Sequence, residues 1–347
     1  MATATNKQAG QLKQDIQSKN IRKLYFIYGD EAYLKEYYRD ALMNAVLDET
    51  FREFNLQVFD GKSLSPEQLT NAIESYPAMA ERRVVVVKDL DPYKPPAAFQ
   101  PVLTDILCDL PDYVCLIFYF DIVEFKPDKR MKLHGILEKS ACFAEFSHLE
   151  GRELIDWIRR HVNALHKKID DETCEHLLFL CGNSMTNLLT EIEKVCAFST
   201  LDHITTYHID QVCTRVLDAV IFDLTDAIAN GQFEHAISIF QELIAQRNDE
   251  IQIFSSILRH MQRLYASKLV EQSRAGEKLL MDLVGSRSPY YVRKLATSAR
   301  RLSLPWLRRT TLLCAETDAS LKSSVSDRQK QVELTLLQMA AYFKEKT

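Results

Sequence analysis

The sequence predicts an α/β domain built on a mainly parallel five-stranded sheet over residues 1–150, followed by two all-α domains over 151–216 and 217–347. Three observations carry this. "RRVVVVKDL" (82–90) and "YVCLIFYF" (113–120) are apolar runs without polar alternation, the pattern of strands covered on both faces. Before Gly151, strand-like runs alternate with helical segments, as in a sheet whose crossovers are helices. After Gly151 no strand pattern is evident, and apolar residues recur at three- and four-residue steps.

Leu24–Tyr28 reads as the first strand. Residues 30–49 read as a helix, because Leu34, Tyr38, Leu42 and Val46 fall on one face. A second strand over 55–59 is ended by Asp60-Gly61. Ser65 suits a helix N-cap and Pro66 the first helical position, and Leu69, Ala72 and Ile73 supply that helix's buried face. The third strand is 82–90, "DPYKPPAAF" leads to another helix, and 113–120 and 142–149 complete the sheet. Beyond Gly151, Leu154, Ile158, Val162 and Leu165 mark one amphipathic helix, and Leu188, Ile192, Val195 and Cys196 another. Ile251, Phe254, Leu258, Met261, Tyr265 and Leu269 mark a third, and the boundary between the helical domains falls near 216–219.

Composition narrows the function classes. The chain has 347 residues, 46% hydrophobic and 26% charged, with a net charge of -5. That balance excludes a global basic field, so any nucleic-acid contact requires a local patch. Eight cysteines are scattered singly with no C-x-x-C pair, so no zinc or redox motif is signalled. No apolar run approaches the ~18 residues of a membrane span and no signal-like segment opens the chain, so a reducing cytoplasm is expected.

The stretch "IYGDEAYLKE" (27–36) has the strand–Gly–helix order of a phosphate loop, G-x-x-x-x-G-K-[ST]. A working loop needs a second glycine where the backbone turns back, a lysine for the β/γ-phosphates and a hydroxyl for Mg²⁺. After Gly29 those positions hold Leu34, Lys35 and Glu36. Leu34 fills space, Glu36 is charged, and Asp30 and Glu31 oppose an anion at the helix N-terminus. The candidate metal-binding strand ends in Lys88-Asp89, where Asp89 suits a turn or cap. A non-functional phosphate loop is the expectation.

Other chemistry is equally sparse. His161 and His166, like His203 and His208, are five apart and miss the i, i+4 spacing of H-E-x-x-H; they are expected as partly exposed helix or loop residues. There is no G-x-S-x-G, and nine glycines leave few loops that bring backbone close to a ligand. No catalytic residue, cofactor or metal is predicted.

In order along the chain, "FIYGDEAYLKE", "FNLQVFDG", "ERRVVVVKD", "GRELIDWI", "CGNSMTNLLTEIEKV", "IFDLTDAIANGQFEHAISIFQELI" and "DASLKSS" resemble the delta subunit family of the bacterial DNA polymerase III clamp loader, over roughly residues 20–345. The resemblance implies a degenerate RecA/AAA+-like core without ATP hydrolysis, a helical lid and a helical collar that joins a hetero-pentameric ring. It implies partners: the beta sliding clamp, ATPase subunits, delta-prime and primer–template DNA, with no membrane. Its implied role is to grip the clamp and hold its ring open as an accessory protein of the polymerase.

The family's hydrophobic wedge ahead of the third strand aligns on Ala78-Met79, within a candidate set of Tyr76, Pro77, Ala78, Met79, Glu81 and Arg82. Met79 is flexible and apolar, as a pocket requires, and Ala78 stands where a leucine is usual. Packing of Tyr76 and Met79 against their own sheet is the competing reading. Basic residues cluster at Arg159-Arg160, at 166–168 and at Arg293, Lys294, Arg300, Arg301, Arg308 and Arg309. Such clusters are usually solvated faces or ion pairs; the candidates for a DNA phosphate contact are Arg293, Lys294, Arg300 and Arg301. Asp318, Leu321 and Lys322 match the family's collar motif, with Ser323 in place of a usual glycine, and Asp318 and Lys322 can pair along one helix face. Two alternatives stay open. A delta-prime-type stator would carry clustered cysteines and a Ser-Arg-Cys trigger, which this chain lacks, and an AAA+ ATPase with an atypical phosphate loop would respond to nucleotide.

Overall fold

The protein is described by a computed structural model covering residues 2–273, 275–286, 288–323 and 327–344. It forms two compact units, Met1–Leu149 and Glu150–Thr347. Both helical segments expected on either side of 216 lie in the second.

The first unit runs α1 (Ala2–Ser18), β1 (Leu24–Tyr28), α2 (Ala32–Val46), α3 (Arg52–Asn55), β2 (Leu56–Asp60), α4 (Pro66–Glu74), β3 (Arg83–Lys88), α5 (Leu103–Cys108), β4 (Val114–Tyr119), α6 (Lys132–Ser140) and β5 (Ala141–Glu145). All strand pairs are parallel, in the order β2-β3-β4-β1-β5. Alternate residues of the central strands serve two cores, one on each face. Leu24, Phe26, Val85, Val87, Leu116, Phe118 and Phe143 pack on one side, and Tyr25, Ile27, Val84, Val86, Cys115, Ile117 and Cys142 on the other. Phe26 stands opposite Phe118 and Phe143 in register, with ring centroids 5.0 and 4.6 Å apart. This double coverage is why 82–90 and 113–120 carry no polar alternation.

The structure moves several expected boundaries. α2 starts at Ala32 because Glu31 is its N-cap, and β2 starts at Leu56 because Asn55 closes α3. β2 is an edge strand with three of its five residues exposed. α1 has no counterpart among the elements the sequence predicts. It packs on β5 with Leu12 buried, and the buried Asp15 accepts from Arg22 Nε at 2.8 Å and Tyr25 Oη at 3.1 Å. Ser65 and Gln68 form a capping box that starts α4 at the expected Pro66.

The second unit contains α7 (Arg152–Ala164), β6 (Lys168–Ile169), α8 (Asp171–Cys181), α9 (Met185–Phe198), β7 (His203–Ile204), α10 (Thr206–Val212), α11 (Leu217–Ala229), α12 (Phe233–Ala245), α13 (Glu250–Ser273), α14 (Glu277–Val284), α15 (Pro289–Arg300), α16 (Leu304–Leu321) and α17 (Arg328–Lys344). Contrary to the all-α expectation, β6 and β7 pair in parallel through two residues each. Strands this short leave no periodic signal. α13 is the organising helix, packed by α11, α14, α15, α16 and α17. Its Phe254, Ile257, Met261 and Leu264 meet Phe240, Leu295 and Leu307 in one core. No helix among the described residues is long and apolar enough to cross a membrane.

Candidate partner-binding site and the closed phosphate turn

The turn after β1 is filled by the protein's own groups. Gly29 adopts φ +112°, and a Cβ there would sit 2.3 Å from the Phe146 carbonyl oxygen. That peptide bridges the turn: Phe146 N–H donates to Tyr28 O at 2.7 Å, and Glu31 N–H donates to Phe146 O at 3.0 Å. The buried Glu31 carboxylate accepts from Tyr33 N–H at 3.3 Å and lies 2.8 Å from His148 Nδ1. An anion therefore already caps the helix end that a phosphate would need.

Lys35 is 4% exposed, and its Nζ donates to Phe120 O at 2.8 Å. In sequence this lysine looks like an ordinary first-turn residue, and no local pattern signals its structural bond to the end of β4. Leu34 packs on the sheet and Glu36 is solvent-facing. Asp89, at φ +54°, accepts from the N–H groups of Asp121, Ile122 and Val123 at 2.9, 3.0 and 2.9 Å. It is a loop cap, as its position at a strand end suggests.

The wedge candidates occupy an irregular loop between α4 and β3. Tyr76 is 81% and Met79 84% exposed, so neither packs into the sheet core. Ala78 and Glu81 are also exposed, and Pro77 is half-buried. The loop is fixed at its base, where the buried Arg83 donates through Nη1 to Ser75 O at 2.9 Å. The Tyr76 ring leans on Tyr113 with centroids 5.0 Å apart. Arg82 is less available than its neighbours, since its guanidinium donates to Ile21 O at 2.7 Å and Asp112 O at 2.9 Å. Met79 is a non-glycine residue at φ +52°, a conformation that persists only where the surroundings impose it.

Several basic residues of the second unit have partners. Arg293 pairs with Glu175 at 3.5 Å and Arg300 with Glu271 at 3.7 Å, while Arg301 donates to Asn230 Oδ1 at 2.5 Å. Lys294 lies over the Phe179 ring at 4.5 Å, and burial lowers its pKa despite nearby Asp223. Within the cluster at 159–168, Arg159 pairs with Asp171 at 2.7 Å and Lys167 donates to Leu201 O at 2.8 Å. In the collar motif, Lys322 Nζ lies 2.6 Å from Asp318 Oδ2, and Ser255 Oγ donates to Asp318 Oδ1 at 2.9 Å. Asp318 thus joins α16 to α13, with Leu321 buried beneath; Ser324 of that motif lies outside the described residues.

Other titratable groups are structural. His208, expected to be partly exposed, is buried, because its Nδ1 is 2.9 Å from Thr205 Oγ1 and its Nε2 3.3 Å from Ser199 Oγ. Cys181, Glu191 and Cys213 come within 4.8 Å of one another, a grouping their spacing does not announce. Glu191 there is already held by Lys194 at 2.7 Å and Thr214 N–H at 3.1 Å. Contact with Cys181 and burial raise the pKa of Cys213, so that sulfur is held as a thiol. A cleft of about 970 Å³ in the second unit is lined by Glu175, Phe179, Arg259, His260, Arg263 and Tyr291 among others. Burial, with a smaller effect of Arg263, lowers the His260 pKa to about 3, which leaves a neutral imidazole there.

Comparison with known proteins agrees with this arrangement. The family model described as DNA polymerase III, delta subunit, matches residues 25–147, and the model described as the C-terminal domain of the DNA polymerase III delta subunit matches residues 218–339. DNA polymerase III subunit delta of Bacillus subtilis is 27% identical over 326 residues, covering 92% of this chain and 93% of the relative. The solved structure of the Bacillus subtilis DNA clamp loader delta protein (YqeN) is similar with a TM-score of 0.59 and 26% identity, over 96% of this chain and 99% of that one. With one model of the family on each unit, and similarity that runs along nearly the whole chain, this protein belongs to the DNA polymerase III delta subunit family.

Proposed function

We propose that the chain opens the sliding clamp within the DNA polymerase III clamp loader, gripping the beta clamp through the loop that bears Tyr76, Pro77, Ala78 and Met79. The observation that carries this reading is the exposure of Tyr76 and Met79 on a loop anchored at its base by Arg83. Exposed large apolar side chains on a fixed loop are suited to insertion into a partner's pocket. Burying each is worth about 1.5–3 kcal/mol in gross transfer terms, useful only when the loop is ordered beforehand. Glu81 is free to contact the rim, whereas Arg82 supports the loop from within.

The protein contributes no ATP hydrolysis in this reading, because the phosphate turn is occupied by Phe146, Glu31 and Lys35. Partner subunits supply the nucleotide step. Residues 151–216 act as a lid and 217–347 as a collar in a ring with ATPase subunits and delta-prime; the start of the second family model at residue 218 supports that division. Leu312, Leu334 and Leu337, exposed on α16 and α17, are the surface we assign to neighbouring subunits. DNA is a partner of the assembled ring in this reading, and Arg293 and Arg300 of α15 sit at the surface beside Glu175 and Glu271. The place of action is the cytoplasm.

The test is size-exclusion chromatography of the protein with its own organism's sliding clamp. A complex is expected for the wild type and lost in Met79→Asp, because a charge cannot be buried unpaired in an apolar pocket. Retention of the complex by Met79→Asp together with Tyr76→Ala would remove this loop as the grip. Absence of any complex, even with partner subunits and ATP, would overturn the function.

A further inference from the structure

The Met79 loop has an internal brace that the sequence pattern does not announce. Asn55, the last residue of α3, is 1% exposed, and its amide spends both ends on one residue of the loop. Asn55 Nδ2 donates to Ala78 O at 2.9 Å, and Ala78 N–H donates to Asn55 Oδ1 at 2.8 Å. The second hydrogen of Nδ2 goes to Phe51 O at 3.0 Å, which fixes the amide's plane from the residue that precedes α3. Both backbone polar groups of Ala78 are therefore satisfied by a single side chain 23 residues upstream, immediately before Met79 turns to φ +52°.

That arrangement explains how an unfavourable backbone geometry is held at an exposed position. A methionine gains nothing by itself from the left-handed region, and at 84% exposure its side chain makes no packing that would compensate. The cost must be met by contacts on either side. Arg83 fixes the base of the loop through Ser75 O, and the Asn55 amide fixes the tip through Ala78. A neutral amide suits this task, since it offers both a donor and an acceptor to the N–H and C=O of one residue. Ala78 then serves as the residue whose backbone Asn55 grips, with its side chain exposed.

We infer that Asn55 is a positioning residue for the clamp grip: by holding the Ala78 backbone it orders the loop with Met79 already projecting, so that docking does not have to freeze it. This rests on the proposed clamp contact of Met79. It predicts that Asn55 acts through Met79, not through contact with the clamp.

The experiment measures affinity for the purified sliding clamp of the same organism with the full-length protein as wild type, Asn55→Ala, Asn55→Asp, Met79→Ala and Asn55→Ala/Met79→Ala. Hydrogen exchange at the Ala78 amide is followed in parallel. Asn55→Ala is expected to speed Ala78 exchange and to weaken binding about tenfold. In the Met79→Ala background it should cost little further, the non-additivity of two residues serving one contact. Asn55→Asp keeps the side-chain volume and the acceptor for Ala78 N–H while setting an oxygen against Ala78 O. It should weaken binding too, and it carries the test if Asn55→Ala does not fold. Wild-type affinity in a folded Asn55 variant, or losses that add to that of Met79→Ala, would overturn the inference while leaving the Met79 contact standing. If Met79→Ala itself binds like the wild type, the clamp contact falls first and the inference with it.

Discussion

At the scale of single residues, the decisive contacts join positions far apart in the chain. Gly29 is required twice over, by its positive φ and by the Phe146 carbonyl against which a side chain would collide. Gly29→Ala should therefore destabilise the first unit by at least about 2 kcal/mol, read as a lower urea midpoint with an unchanged slope. An unchanged midpoint would mean that the β5 continuation yields freely. The glycine, the misfit of Leu34 and the acidic pair at 30–31 are all legible in the sequence. The partners are not: nothing in the order of residues says that Lys35 reaches Phe120 or that Asn55 reaches Ala78.

Among the elements, α13 carries the clearest pH dependence. Its His260 is buried in the second unit's core with the Phe222 ring at 5.0 Å, and its pKa is lowered to about 3. The unfolded chain takes up a proton near pH 6.5 that the folded state refuses. Stability from this group is thus full above pH 6.5 and declines as the pH falls, by about 2 kcal/mol between pH 7 and pH 5. Urea titrations at both pH values should show that drop shrinking by this amount in His260→Gln; an equal drop in the variant would place the dependence on carboxylates elsewhere. The amphipathic spacing that identifies α13 also places Phe254 and Met261 correctly in its core, because a buried stripe must recur with the helical period. α1 and the two-residue strands escape sequence reasoning for the opposite reason. α1 buries only the apolar Ala9 and Leu12 and the polar Asp15 among its described side chains, too few for a stripe, and β6 and β7 are too short to have a period.

For the molecule as a whole, the occupied phosphate turn predicts indifference to nucleotide. Saturating MgATP should leave the thermal midpoint of the protein unmoved, whereas a tightly bound ligand would raise stability by several kcal/mol. Lys35→Met should lower the midpoint without any nucleotide present, by the equivalent of about 1–2 kcal/mol, since the Phe120 carbonyl loses its buried donor. A nucleotide-induced rise that Lys35→Met abolishes would restore the ATPase alternative. By itself the sequence determined the architecture class, the parallel sheet and the mismatch to a working phosphate loop, because periodicity, side-chain volume and charge are local properties that a single chain displays. Only the tertiary structure decided that Tyr76 and Met79 face solvent, that Arg293 and Arg300 of α15 stand beside Glu175 and Glu271, and that one buried asparagine braces the loop. These are matters of which distant groups meet, and hydrogen bonds between residues remote in sequence leave no periodic trace along it.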